Sequence, residues 1–309
     1  MDNKPFRSIE QQVRLLQRRG IATNEATPTI LLREGYYAVV NGYGKPFIDA
    51  AKTAAAHDDR FCEGTTFDAI YQLFLFDRDL RALTFRSIMS VEGTLRSVLS
   101  HTFCEHHRAD EAYLDKSCYT KARGYLRGED RYSGDLEWLV NTLRHHANGH
   151  LQPNPFEDSP EGEGTENARV SWYRENYNAV PLWVLFSDLT FGNLRYFFAL
   201  MRRDEQKQVC ERLAEVCGVT SDGDPLSPAE LLRNLETLSD LRNDCAHVER
   251  IFDAGFGEDE LCYQEVREVL ALFLADDDER ELQEGIDVLV KNAQERQPTL
   301  TPILAANGF

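Results

Sequence analysis

The chain has no CxxC pair, no apolar run approaching the roughly 18 residues of a membrane span, and no stretch of strand-period alternation. Its seven cysteines are an odd number, scattered over positions 62 to 262, which argues against both a disulfide framework and a zinc ribbon and fits a reducing compartment. The opening MDNKPFRSIEQQ has no apolar core behind its charges, so neither a signal peptide nor a membrane anchor is expected and the protein is read as cytoplasmic. Positive charge is scarce as well: 34 Lys and Arg face 52 Asp and Glu, for a net charge of -18. That deficit argues against tight nonspecific DNA binding, which depends on neutralising phosphates. It is unevenly placed, since residues 1–127 carry 18 basic against 16 acidic side chains and the remainder carries 16 against 36. Much of the acid lies in a Pro- and Gly-rich loop near 152–168 and beyond residue 257, which leaves room for a nucleic-acid site elsewhere.

What is present is helical periodicity. Ser8 precedes Ile9, Val13 and Leu16 at helical spacing, which predicts a helix over roughly 8–19, and a second segment follows near 27–35. From Thr66 the apolar residues Phe67, Ile70, Tyr71, Phe74, Leu83, Ile88, Val91, Leu95 and Leu99 recur every three or four positions, as in one very long helix or two in series. Ser227-Pro228-Ala229-Glu230 is a helix start with a capping serine, proline at the first position and glutamate three after the cap. Two amphipathic helices separated by DDDERE are expected near the C-terminus. The fold expected is all-α, a helical bundle. Residues 1–60 form an N-terminal helical and aromatic segment and residues 61–309 the main helical domain.

The stretch LRNDCAHVER, residues 241 to 250, carries the most chemistry. Asn243 and His247 are four apart and share one face of a helix, whereas Arg242 lies about 140° round from His247. Such a helix does not aim both at one atom, so either the arginine curls round or two copies of the chain meet to make a composite site. A histidine titrates near neutrality and suits proton transfer to or from a ribose oxygen, and a guanidinium suits the phosphate beside it. A helix that restarts at Ser239 or Asp240 would place Arg242 in a first turn, whose free N–H groups favour anions. By spacing alone a packed or surface histidine is the commoner case. Arg96 and His101 repeat the spacing inside the long helix, where Glu92, four residues before Arg96, offers an ordinary ion pair.

The residues also resemble a family. KPFRSIEQQVRLLQRRGI with LLREGYYAVVNGY, FDRDLRALTFRSIMSVEGTLRSVLSH, VPLWVLFSDLTFGNL and LRNDCAHVERIF stand in the order of the blocks of the Abi family of bacterial abortive-infection, phage-resistance proteins, the AbiD/AbiF-like group. The C-terminal part of that family belongs to the HEPN superfamily. The resemblance implies a HEPN-type helical core and metal-independent RNA cleavage in a homodimer, leaving a 2′,3′-cyclic phosphate and a 5′-hydroxyl. It assigns phosphate contact to Arg242, acid–base work to His247 and an orienting or backbone-binding role to Asn243. Arg96, His101 and Arg250 are candidates for RNA binding or support. No cofactor is implied. The partners implied are RNA as substrate, a small regulatory noncoding RNA and a phage-derived trigger, with no membrane. Where members often carry a second histidine after the first, this chain has Val248.

Two further groups hold chemistry-bearing side chains. HTFCEHH at 101–107 and HHANGH at 145–150 hold possible metal ligands without a clear partner set. Tyr36, Tyr37 and Tyr43, with Arg14, Arg18 and Arg19, could line an RNA groove, although a packed aromatic cluster beside a solvated helix is the commoner arrangement.

Overall fold

The computed structural model describes residues 6–149, 167–221 and 223–309; the acidic loop near 152–168 and His150 fall almost wholly outside them. The described residues are all-α apart from a two-stranded hairpin, Thr220–Ser221 with Asp224–Pro225. Helix α1 (Ile9–Arg18) begins at a capping box in which Ser8 and Gln11 satisfy each other's backbone amides. After α2 (Thr27–Glu34) the aromatic connector is itself wound: a π-helical turn over Tyr37–Asn41, then a 3₁₀ turn over Lys45–Phe47. A short α3 (Ala50–Ala56) leads to the organising element, α4 (Phe67–His106).

Helix α4 is one unbroken helix of 40 residues, about 60 Å long. Its buried positions run Ile70, Leu73, Asp77, Leu80, Thr84, Ile88, Val91, Leu95, Val98 and Thr102, a stripe sustained along the whole length because different helices cover it in turn. Helix α5 (Glu129–Ala147) follows a series of 3₁₀ turns, and α6 (Ala168–Tyr177), α7 (Leu182–Leu185), α8 (Phe191–Leu200) and α9 (Arg203–Cys217) complete one end of the bundle. Helix α10 (Pro228–Ala246) packs on α4, α8 and α9. Ser227 and Glu230 form its capping box, with Pro228 at the first position. It runs straight through Ser239 and Asp240, so the first-turn placement of Arg242 does not occur.

Helix α11 (Tyr263–Ala271) is followed by α12 (Asp276–Arg296), which lies along the first half of α4, and by α13 (Thr301–Ala306). The DDDERE run does not separate the last two long helices; it is the first turn and a half of α12. Acidic side chains there face the positive end of the helix, which is why a run that reads as a breaker starts a helix instead. One apolar core is continuous from Leu16 and Ile21 to Leu300 and Leu304, so the N-terminal segment is packed into the same interior as the rest.

Candidate active site

The box occupies the C-terminal end of α10. Arg242 and Asn243 lie in its last turn and His247 is the C-cap, its amide donating to the Asn243 carbonyl at 2.8 Å. Asn243 and His247 are exposed on a common face. Arg242 is half-buried, its guanidinium 5.8 Å from the centre of the Phe85 ring on α4. Among the described residues neither a carboxylate nor a carbonyl bonds that guanidinium, and its Nε is a buried donor without an acceptor. The structure therefore keeps Arg242 and His247 on one element but on different sides of it.

What fixes His247 is the chain immediately after it. Glu249 donates its amide to the Asp244 carbonyl at 2.9 Å, closing the end of α10 in a Schellman-type turn. That turn puts Val248 at φ +64°, a position where glycine is usual and a β-branched residue is strained. Val248 is 68% exposed, so burial does not compensate. The compensation comes from below. Asp77 of α4, fully buried, accepts the amides of Ile251 at 3.1 Å and Phe252 at 2.8 Å and the hydroxyl of Tyr43 at 2.6 Å. Arg81, one turn on, pairs with Asp77 and donates to Tyr43 Oη at 2.9 Å and to the Glu249 carbonyl at 3.2 Å. Burial pushes the Asp77 carboxyl above the ordinary carboxylate range, against the pull of Tyr43, Arg81 and the two amides.

Around the box the charge is negative. Asp244, one turn before His247, is half-buried; burial raises its carboxyl, Glu249 and Asp240 reinforce the rise, and His247 opposes it. Arg250, a candidate for RNA binding or support, straps the loop: it pairs with Asp253 at 2.5 Å and donates to the Gly42 carbonyl. Between that strap and the π-turn lies an open hollow of about 530 Å³, lined by Tyr37, Asn41, Gly42, Asp244, Glu249 and Arg250.

The other expected groups separate clearly. Arg96 pairs with Glu92 at 2.6 Å and donates to the Leu189 carbonyl at 2.9 Å, tying α4 to the turn before α8, while His101 is exposed and contacts Glu105 at 3.2 Å. His101 lies 16 residues beyond Phe85 on a straight helix, about 24 Å away, so this second Arg–His spacing does not join the first. His107 is buried against Glu205 at 2.7 Å and His106 bonds Gln208 at 2.7 Å; among the described residues no group of three or more His, Cys, Asp or Glu could hold a metal ion. Of the aromatic cluster, Tyr43 is core, Tyr36 is tied to Arg19 at 3.2 Å, and Tyr37 alone stands in solvent. A larger hollow of about 630 Å³, walled by Phe103, Tyr113, Tyr177 and Trp183, belongs to the far end of α4 and has no part of the box.

Sequence reasoning missed Asp77 and Arg81, and with them the hydrogen-bonding role of Tyr43. The signal was present, since an Asp and an Arg at i,i+4 fall inside an apolar stripe where no charge should lie unless it is paired.

The fold and site define an all-α protein that presents an Arg-Asn-x-x-x-His helix end, clamped from beneath by a buried ion pair. The family model for Abi-like protein matches residues 29–253, close to three quarters of the chain, and the chain belongs to that family of abortive-infection proteins. The match takes in Tyr43, Asp77, Arg81 and the whole box, and stops before α11. No curated protein and no solved structure matches the chain.

Proposed function

We propose that this protein is a HEPN-type, metal-independent endoribonuclease of a bacterial abortive-infection system, acting in the cytoplasm as a toxin that stops growth during phage infection. The observation that supports this most directly is the exposed His247, held at a clamped helix end beside an arginine whose guanidinium has no acceptor among the described residues. In the reaction the ribose 2′-oxygen attacks phosphorus and gives its proton to a histidine. The 5′-oxygen leaves with a proton from a second acid, and the products are a 2′,3′-cyclic phosphate and a 5′-hydroxyl. Arg242 neutralises charge on the phosphoryl oxygens and Asn243 holds the backbone or the imidazole. Because Arg242 and His247 diverge around α10, a homodimer in which two boxes face each other supplies both proton-transfer groups and both guanidiniums to one phosphate. The acid around the box suits an enzyme that is restrained until triggered, by a small noncoding RNA or a phage-derived signal.

The test is induction of the wild-type chain beside Arg242→Ala and His247→Ala, with growth followed and total RNA examined for new 2′,3′-cyclic phosphate ends, both without and with phage. Arrest and new ends that disappear in both variants are the expected result. Equal behaviour of all three chains during infection would retire cleavage in favour of a non-catalytic RNA- or protein-binding module of the same family.

A further inference from the structure

We propose that the hollow beside the box is a nucleobase subsite, in which Tyr37 stacks an unpaired guanine and the carboxylates of Asp244 and Glu249 take its Watson–Crick N–H groups. The inference rests on the RNA reading above for its ligand, but it concerns binding and does not require cleavage.

Three observations carry it. Tyr37 is 80% exposed although its helical neighbours Val39 and Val40 are fully buried. The ring thus projects from a π-turn anchored by two buried valines, a local geometry that recurs at functional sites. A flat ring held out from an ordered backbone is what base stacking uses, since every base offers a π-face and little side-chain entropy remains to be lost. Tyr37 also lines one hollow with Asp244 and Glu249, which stand three residues before and two after His247. A base in that hollow would therefore lie against the same helix end that carries His247.

The lining selects the ligand. Phosphate is disfavoured, because among the described residues the hollow holds two carboxylates and one cation, Arg250, which is committed to Asp253 and to the Gly42 carbonyl. Ionised carboxylates only accept hydrogen bonds, so they select donor-rich edges. Guanine presents N1–H and N2–H side by side, a pair that one carboxylate takes at both oxygens, and its O6 accepts from the side-chain amide of Asn41, also exposed in the lining. Uracil has a single N–H between two carbonyls and meets the acids with its acceptors. Adenine and cytosine, each with one amino group, fall between. Burial and the neighbouring acids already disfavour charge on Asp244, and a pair of donors would relieve that penalty.

The experiment uses the full-length His247→Ala chain, so that RNA is bound and not cut. Fluorescent ten-nucleotide uridine RNAs, uniform or with one guanosine at the centre, are titrated by anisotropy. We expect the single guanosine to raise affinity by about tenfold, the scale of one stacked and paired base. Tyr37→Phe in the same background keeps the gain, whereas Tyr37→Leu, Asp244→Asn and Glu249→Gln each reduce it. Equal affinity for the two RNAs, or a gain that survives both Tyr37→Leu and Asp244→Asn, overturns the proposal. A wild type that cleaves without any nucleotide preference at the cut would remove the subsite and leave the nuclease. A guanosine preference in a chain that never cleaves would do the reverse.

Discussion

Replacing Asp77 by alanine should cost this protein about 3–5 kcal/mol, the penalty for leaving a buried charge without its partner. The structure sets that magnitude. Arg81 is 4% exposed and Asp77 0%, so the guanidinium left behind cannot turn to water. At the same time Tyr43, Ile251 and Phe252 lose their acceptor. For 309 residues the entropy of unfolding near the midpoint is about 650 cal/mol/K, from about 2.1 per residue, so the melting temperature should fall by about 5–8 °C. The assay is scanning calorimetry of Asp77→Ala, Arg81→Met and the double variant. The double variant should recover a large part of either single loss, because removing both charges together leaves neither unpaired. The loss should also appear as faster hydrogen exchange at residues 248–252, where the clamp grips the chain. A melting temperature within about 1 °C of wild type for Asp77→Ala, or strict additivity in the double variant, would show that the ion pair does not hold the end of α10.

Four other outcomes follow from the same geometry. Val248→Gly should stabilise the fold by about 0.5–1 kcal/mol, since relief of about 1–2 kcal/mol of left-handed strain exceeds the extra backbone entropy of glycine; denaturant midpoints at unchanged slope measure it. Arg96→Ala should cost about 3 kcal/mol by stranding Glu92, 2% exposed, while His101→Ala should stay within about 0.5 kcal/mol; chemical unfolding of the pair checks that the second Arg–His spacing is architectural on its arginine side. Hydrogen bonds from Arg19 hold the Asp58 carboxyl at about 2 against 3.8 unfolded, so the stability it supplies is complete above 3.8 and is lost as pH falls towards 2. An Arg19→Gln chain should accordingly show a flatter acid limb in melting temperature against pH. Finally, Arg250→Ala should lower melting temperature through the loss of its Gly42 and Asp253 bonds while leaving affinity for uniform RNA unchanged in the His247→Ala background.

Much of this architecture was legible because it rests on local rules. The starts of α1 and α10 are capping boxes built from residues three apart, and both stand where Ser8 and Ser227 place them. The long apolar stripe of α4 reads at helical period, although whether it broke near FDRDLR did not, because the charges there look like a break until the partner that buries them is known. The DDDERE run misled for a related reason: acid in a first turn is favourable and acid in a linker is common, and composition does not separate the two. At the site, the shared face of Asn243 and His247 and the divergence of Arg242 followed from spacing once α10 proved continuous. The partners of Arg250, Gly42 and Asp253, were not legible, because they depend on where a loop returns, and one of them lies 208 residues away in the chain.

That long reach governs when the end of α10 is set during synthesis. Asp77 meets the backbone of Ile251 and Phe252 across 174 and 175 residues, and Tyr43 closes the same cluster from still nearer the N-terminus. Contacts of such separation form late, since the intervening chain must be in place first. A ribosome-bound chain that has already exposed α4 and most of α10 still lacks the segment that clamps His247, so the helix end stays unset until residue 252 has emerged. A product that stops before Ile251 would carry the box sequence but lack the two amides that Asp77 accepts, and the end of α10 would be left unclamped.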